Sequence, residues 1–329
     1  MKNLTCLILV VLLGVGCKSE SSKSESNLIQ LANDNFESIS KSSLDKNNPK
    51  VVLGKALFFE KRLSIDNSIS CNSCHDIKKF GVDNLDFSNG ARGALTKRNS
   101  PTILNTHLQS SQFWDGRAQT LQEQIRMPML TDVEMSMPSE EFIVKKVSKI
   151  EFYAKSFGEV YPNQDVSMEN ISEAIANYIE SLTTPSKFDD FLAGNAVLSS
   201  SETRGMKVFI DKGCAECHSG KLLGDGFEEF GVFDSYWKYT KSQKIDSGRY
   251  SVTKNEDDLF VFKVPSLRNV TETYPYFHDG SIKTLKEAVK IMAQVQLDEQ
   301  ISERETDDII SFLNSLKQSQ STGSASSTQ

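Results

Sequence analysis

Apolar positions recur at helical intervals over much of the chain and almost nowhere alternate as a half-buried strand would. Ile171, Ile175, Tyr178, Ile179 and Leu182 fall on one face of a 3.6-residue repeat. So do Ile309, Ile310, Leu313 and Leu316 near the end and, less regularly, Phe142, Val147 and Ile150. Pro138-Ser139-Glu140-Glu141 supplies a helix start, with carboxylates in the first turn where unpaired N–H groups favour negative charge. A serine cluster after Leu198 opens a short amphipathic stretch with Met206, Val208 and Phe209 that reaches Cys214 after a glycine, and Leu285 to Val295 reads as another helix. The fold class expected is mainly α with long loops, and the turn material Ala193-Gly194-Asn195 divides it into two units.

The two ends break this pattern. Met1 to Cys17 is one lysine, an apolar run too short for a comfortable span, then small residues before a cysteine, which is the layout of an export signal. It resembles a bacterial lipoprotein signal in which Cys17 becomes the lipidated first residue, although Gly14 stands where such signals usually carry Leu. The polar, low-complexity run that follows suggests a flexible tether over residues 18–30, and residues 318–329 read as a disordered tail. No later segment is apolar for long enough to span a bilayer. The chain has 329 residues, enough for two domains, and a net charge of −7, which gives no reason to expect nucleic acid as a partner.

Cysteine usage changes the picture most. Cys6 lies within the signal and Cys17 closes it, so the remaining body has four thiols, in Cys71-Asn72-Ser73-Cys74-His75 and Cys214-Ala215-Glu216-Cys217-His218. Two thiols three residues apart on a helical turn can form thioethers with the vinyl groups of one haem while the next histidine coordinates iron. Two disulfides would suit an exported chain but leave the histidines unexplained. A zinc site would need the pairs brought together across about 140 residues, far beyond zinc-ribbon spacings. Two covalently bound haem c groups are therefore expected. The units are cytochrome c-like haem domains at 31–194 and 195–317, and each haem supplies an apolar centre that a small helical domain otherwise lacks.

The order of LGKALFFEKRLSIDNSISCNSCH (53–75), RNSPTILN (98–105), FWDGRAQTLQEQ (113–124), GCAECHSG (213–220), FKVPSLRNV (262–270) and PYFHDG (275–280) resembles the bacterial dihaem cytochrome c peroxidases over roughly residues 50–317. The resemblance implies reduction of hydrogen peroxide to water at the N-terminal haem. Electrons would come from a small periplasmic carrier, a cytochrome c or a cupredoxin, through the C-terminal haem. By the same resemblance His75 and His218 are the proximal iron ligands and Met292 is the second ligand of the electron-receiving haem, where a thioether raises the reduction potential. On its residues alone, Met292 reads as a core position of its helix. Gln124, Pro128 and Glu134 match the family's peroxide site, with Glu134 as acid–base group, and Trp114 matches the tryptophan lying between the haems. Asn99, Thr273 and Pro275, the last two through backbone carbonyls, match ligands of a calcium ion between the domains. His278 is either a hydrogen-bonding group near a haem propionate or a structural histidine. A lipid anchor as the sole membrane contact, a periplasmic location and a homodimer complete the expectation.

One departure stands out. Where many members carry a histidine that caps the resting peroxidatic iron, Phe87-Ser88-Asn89-Gly90-Ala91-Arg92-Gly93 places Ala91, and His107 lies off that position. The peroxidatic haem is therefore expected to be open when oxidised. Two other classes stay in play: a dihaem oxidase that modifies a partner protein, disfavoured because those enzymes carry tyrosine where Met292 stands, and a simple dihaem electron carrier with both irons capped.

Overall fold

The computed structural model describes residues 17–183, 185–242 and 244–318; residues 1–16 of the export signal expected at 1–17, and residues 319–329 of the tail expected at 318–329, lie outside the described residues. In chain order the helices are α1 (Cys17–Asn33), α2 (Pro49–Phe58), α3 (Cys71–Cys74), α4 (Leu121–Leu130), α5 (Glu140–Ser148), α6 (Glu151–Val160), α7 (Met168–Ser181), α8 (Lys187–Leu192), α9 (Ser200–Asp211), α10 (Cys214–Cys217), α11 (Trp237–Thr240), α12 (Tyr250–Thr253), α13 (Leu285–Leu297) and α14 (Glu303–Ser315). Strands β1 (Phe227–Glu229) and β2 (Val261–Lys263) pair antiparallel, with Glu228 opposite Phe262. The mainly α fold with long loops is as the periodicity indicates.

Local signals explain the helix ends. Ser139 caps α5 by accepting the Phe142 N–H, and Thr120 with Glu123, Ser199 with Glu202 and Ser302 with Glu305 form reciprocal capping boxes on α4, α9 and α14. The apolar faces then pair. Ile171, Ile175, Tyr178 and Ile179 of α7 are buried with Leu53, Leu57 and Phe58 of α2 in a first core. Met206 and Phe209 of α9 are buried with Ile309, Phe312 and Leu313 of α14 in a second.

Both crossings depend on a glycine. A Cβ at Gly54 would lie 1.8 Å from the Ala174 carbonyl oxygen, and one at Gly205 would lie 1.8 Å from that of Asp308. Each domain thus brings its leading helix directly onto the backbone of its closing helix, and Cys71 packs on the first core and Cys214 on the second.

The packing departs from the expected division at three places. The expected tether lies within α1, where Leu28 and Ile29 pack on the second core and Ala32 is buried in it. The periodic apolar positions that follow Asn27 carry the helix through what composition marks as linker. Phe36, expected in the N-terminal unit, is also buried in the second core, and so are Phe188 and Phe191 of α8, which lie before the expected boundary at 195. The C-terminal core is therefore built from both ends of the segment expected to form its neighbour. Gln318, placed in the expected tail, donates its backbone N–H to the Asn269 side chain at 2.7 Å.

Candidate functional site

Each haem-attachment motif begins as a single helical turn. Ser70 caps α3 in a reciprocal box with Ser73, and Gly213, in the left-handed region at φ 85°, turns the chain into α10. The four thiols are free. His75 Nδ1 lies 3.2 Å from the Gly81 carbonyl oxygen and His218 Nδ1 lies 3.0 Å from that of Leu223. A ring whose Nδ1–H is held by a carbonyl offers its Nε2 lone pair to a metal, and that is the orientation an iron-ligating histidine needs. Burial holds both imidazoles below their usual range, hence neutral, and pushes Cys71 up to about 12 and Cys74 and Cys214 up to about 11. Two neutral thiols one turn apart with an oriented imidazole fit covalent attachment of a haem at both motifs.

Of the expected peroxide residues, two lie on α4 and the third follows it. Gln124 and Pro128 are one turn apart on α4 and share a face. After α4 the chain folds back, with Met135 N–H donating to the Pro128 carbonyl at 3.1 Å and Met137 N–H to that of Met129 at 2.8 Å, so Glu134 hangs beside the end of that face. Its peptide is clamped from outside as well: Ala91 N–H donates to the Glu134 carbonyl at 2.7 Å, and Ile65 N–H to that of Met135 at 3.0 Å. Gly90 makes this approach possible, because a Cβ there would lie 2.0 Å from the Val133 carbonyl oxygen. Burial raises the Glu134 carboxyl above its ordinary value against the opposing pull of the Arg117 guanidinium, and the same carboxylate acts on Cys74. A desolvated carboxyl of this kind exchanges protons more readily near neutrality than a solvated one.

Ala91, 1% exposed, thus sits against the Glu134 loop. His107 lies elsewhere, its Nδ1 3.5 Å from the Thr183 hydroxyl at the end of α7 and within the field of Glu180. Met292 lies on α13, whose buried face is Ala288, Ile291 and Val295. Met292 itself is half-buried and stands outside that cluster.

Between the domains, Trp114 donates its indole N–H to the Asn99 carbonyl at 2.9 Å, and its ring lies 6.4 Å from that of His278. The backbones are stitched reciprocally: Asn99 N–H donates to the His278 carbonyl and Lys263 N–H to that of Trp114, both at 2.8 Å. His278 is 3% exposed and stacks on Phe262, with centroids 4.3 Å apart and planes 22° from parallel, which makes it a packed residue of the junction.

Reciprocity has a source that the sequence carries and periodicity does not reveal. Phe113-Trp114-Asp115-Gly116 repeats as Phe277-His278-Asp279-Gly280, and the segments ending in Asn105 and Asn269 repeat likewise. Phe113 and Phe277 share a left-handed backbone at φ 69° and 68°, as do Asn105 and Asn269 at 66° and 64°. Sequence reasoning also missed Arg98, which donates to Asp246 at 2.7 and 2.8 Å and to Asp115 at 2.6 Å. Arg117 joins the same Asp115 carboxylate, forming a largely buried ion network across the junction.

The expected calcium residues are partly gathered. Asn99 is tied to the 275–280 loop through His278, and its side-chain amide donates to the Leu85 carbonyl at 2.8 Å. Among the described residues, no group of three or more His, Cys, Asp or Glu side chains could hold a metal ion.

Residues 48–197 match the family model described as di-haem cytochrome c peroxidase, and residues 202–317 match that of cytochrome c. The chain is 39% identical to cytochrome c551 peroxidase of Nitrosomonas europaea over 88% of this chain and 85% of that protein. The chain belongs to the di-haem cytochrome c peroxidases. As a member, this oxidoreductase carries two haem c groups. It is 43% identical to cytochrome c peroxidase Ccp of Escherichia coli over 81% of this chain, spanning 58% of that protein. Among solved structures, a MauG-like protein associated with microbial copper homeostasis superposes with a TM-score of 0.73 at 26% identity, over 85% of this chain and 94% of that one. No described helix of the peroxidase is long and apolar enough to cross a membrane.

Proposed function

We propose that this peroxidase reduces hydrogen peroxide to water at the His75 haem, using electrons that a small cytochrome c or cupredoxin delivers at the His218 haem. Bound through its thioethers, each haem supplies an iron that changes oxidation state, and the N-terminal one offers a position to peroxide. Glu134 takes the proton from the near oxygen of peroxide and returns it to the far one, so that the departing oxygen leaves as water. Gln124 and Pro128 line the same side of α4 and shape the space in which peroxide is held. Trp114, hydrogen-bonded to Asn99 at the junction, lies on the route between the two motifs. Met292 serves as the second ligand of the electron-receiving iron.

The observation that carries this reading is the placement of Glu134: raised by burial, acting on Cys74 of the attachment motif, and held by the Ala91 amide at 2.7 Å. Ala91 cannot ligate iron, which supports a peroxidatic site open in the oxidised state and needing no reductive activation. Asn99 with the carbonyls of Thr273 and Pro275 would hold calcium through neutral oxygens. Cys17 as a lipid attachment point would place the enzyme in the periplasm, tethered to a membrane. Steady-state turnover of peroxide with reduced cytochrome c, compared between the native enzyme and Glu134→Gln, tests the assignment. The variant is expected to lose about 10²- to 10⁴-fold in kcat/KM, the worth of a positioned acid–base group. Equal turnover would remove Glu134 from the chemistry, and no turnover in either protein would favour a dihaem electron carrier.

A further inference from the structure

The chain has 19 Phe and 8 Tyr but only two Trp, and both tryptophans lie on one unbroken series of ring contacts. Trp114 meets His278 at 6.4 Å, His278 meets Tyr236 edge-on at 5.2 Å, and Tyr236 meets Trp237 edge-on at 5.2 Å. The series runs from the junction between the haem motifs to α11, where the Trp237 side chain is half-buried and reaches solvent. The other rings packed on its outer part, Phe230, Phe260 and Phe262, are phenylalanines, which resist one-electron oxidation and so offer no branch.

The chemistry of the intermediate ring favours passage over storage. Tyr236 is fully buried, and its hydroxyl donates to the Asp246 carbonyl at 3.0 Å and accepts from the Asp246 N–H at the same distance. Neither partner is a base, and burial pushes the phenol up to about 12. A tyrosine that cannot release its proton does not hold an oxidised state; a solvent-contacting indole can give its N–H proton to water.

We infer that Trp237 is a surface outlet for oxidising equivalents that reach Trp114 when electron supply lags behind peroxide. This rests on the peroxidase reading above. Peroxide needs two electrons and two protons to become two waters. With one electron from the donor, the second leaves the Trp237 indole, whose N–H proton goes to water, and the O–O bond is broken at the expense of one neutral indolyl radical. With no donor at all, two side chains are oxidised for each peroxide. A later electron from the donor and a proton from water restore the indole, so the outlet spares the haem site rather than consuming the protein.

The test uses the full dihaem protein. Native enzyme and Trp237→Phe, which keeps a ring against Tyr236 and Phe260, are exposed to peroxide without donor. They are compared by freeze-quench electron paramagnetic resonance, by peptide mass spectrometry and by the rate of haem bleaching. The native protein should show an indolyl radical signal and oxygen adducts at Trp237. The variant should lose that signal, carry its damage at Trp114 rather than at Tyr236, and bleach several-fold faster, while turnover with donor present stays at the native rate. An unmodified Trp237 in native protein that is oxidised elsewhere, or identical bleaching of the two proteins, overturns the inference while donor-supported turnover leaves the peroxidase reading intact. If native enzyme fails to turn over peroxide with donor, that reading falls and the outlet falls with it.

Discussion

Asp189 and Arg268 form the most deeply buried ion pair described, at 3% and 2% side-chain exposure, and its disruption has a calculable cost. The guanidinium donates to both carboxylate oxygens at 2.8 and 2.9 Å, and the same carboxylate accepts the Ser186 N–H and hydroxyl at 2.6 Å and the Ile39 N–H at 2.7 Å. Three segments distant in sequence therefore meet at one side chain. Asp189→Asn leaves Arg268 charged and buried without its counterion, a change that costs about 3–5 kcal/mol in comparable pairs. For a unit of about 150 to 250 residues this corresponds to a fall in melting temperature of roughly 6–20 °C.

Burial pushes the Asp189 carboxyl up, but the charge and hydrogen bonds of Arg268 outweigh it and hold it below the ordinary 3.8. The pair's contribution is thus complete above that value and is lost as pH falls through the lower folded value. Thermal unfolding by circular dichroism should show the deficit near neutral pH and convergence of native and variant in acid, and the Ile39 amide should exchange faster in the variant. The reasoning would be refuted by a melting temperature within about 1–2 °C of native at neutral pH, well short of the fall expected for a pair of this size. Strictly additive effects of Asp189→Asn and Arg268→Met in a double variant would refute it equally, since contacting partners must couple.

Other outcomes follow from the site. Met292→Leu should lower the reduction potential of the C-terminal haem and abolish its methionine–iron charge-transfer absorption; unchanged spectra would return Met292 to the role of a helix residue. Oxidised enzyme should show one five-coordinate or water-bound high-spin haem, because Ala91 replaces a capping ligand; two six-coordinate low-spin haems would direct suspicion to His107. The acid limb of kcat/KM should lie above the ordinary carboxylate value of 4.5, since Glu134 must be ionised to take a proton and burial raises it, and that limb should vanish in Glu134→Gln.

What is legible in the sequence is local or covalent in origin. Ser139, Ile171 and Phe209 announce caps and buried faces because helix signals lie within a few residues of one another. Both Cys-x-x-Cys-His motifs are complete in five residues, and their structures match. The parts that stay hidden depend on contacts between distant segments. Phe36 packs edge-on to Phe188 at 5.5 Å and also contacts Phe312, a partnership that no window of sequence contains, so composition alone reads α1 as a tether and assigns α8 to the other domain. Arg98 and Asp246 lie 148 residues apart and form their bidentate pair only when the domains close. The repeat of Phe-Trp-Asp-Gly as Phe-His-Asp-Gly is visible in the letters and relates Trp114 to His278 by position alone. Periodicity of hydrophobic residues does not detect it, because those turns are held by backbone bridges, Gln112 to Ala118 and Tyr276 to Ile282, rather than by an apolar face.

The two haems carry every functional statement, and their number can be counted. Pyridine haemochrome absorbance, set against protein concentration for enzyme matured with cytochrome c assembly factors, should give two covalent haems per chain, falling to one when Cys71 and Cys74 are both replaced by Ala. A matured native sample with fewer than two, or a loss of both haems in that variant despite an intact C-terminal fold, would contradict the account.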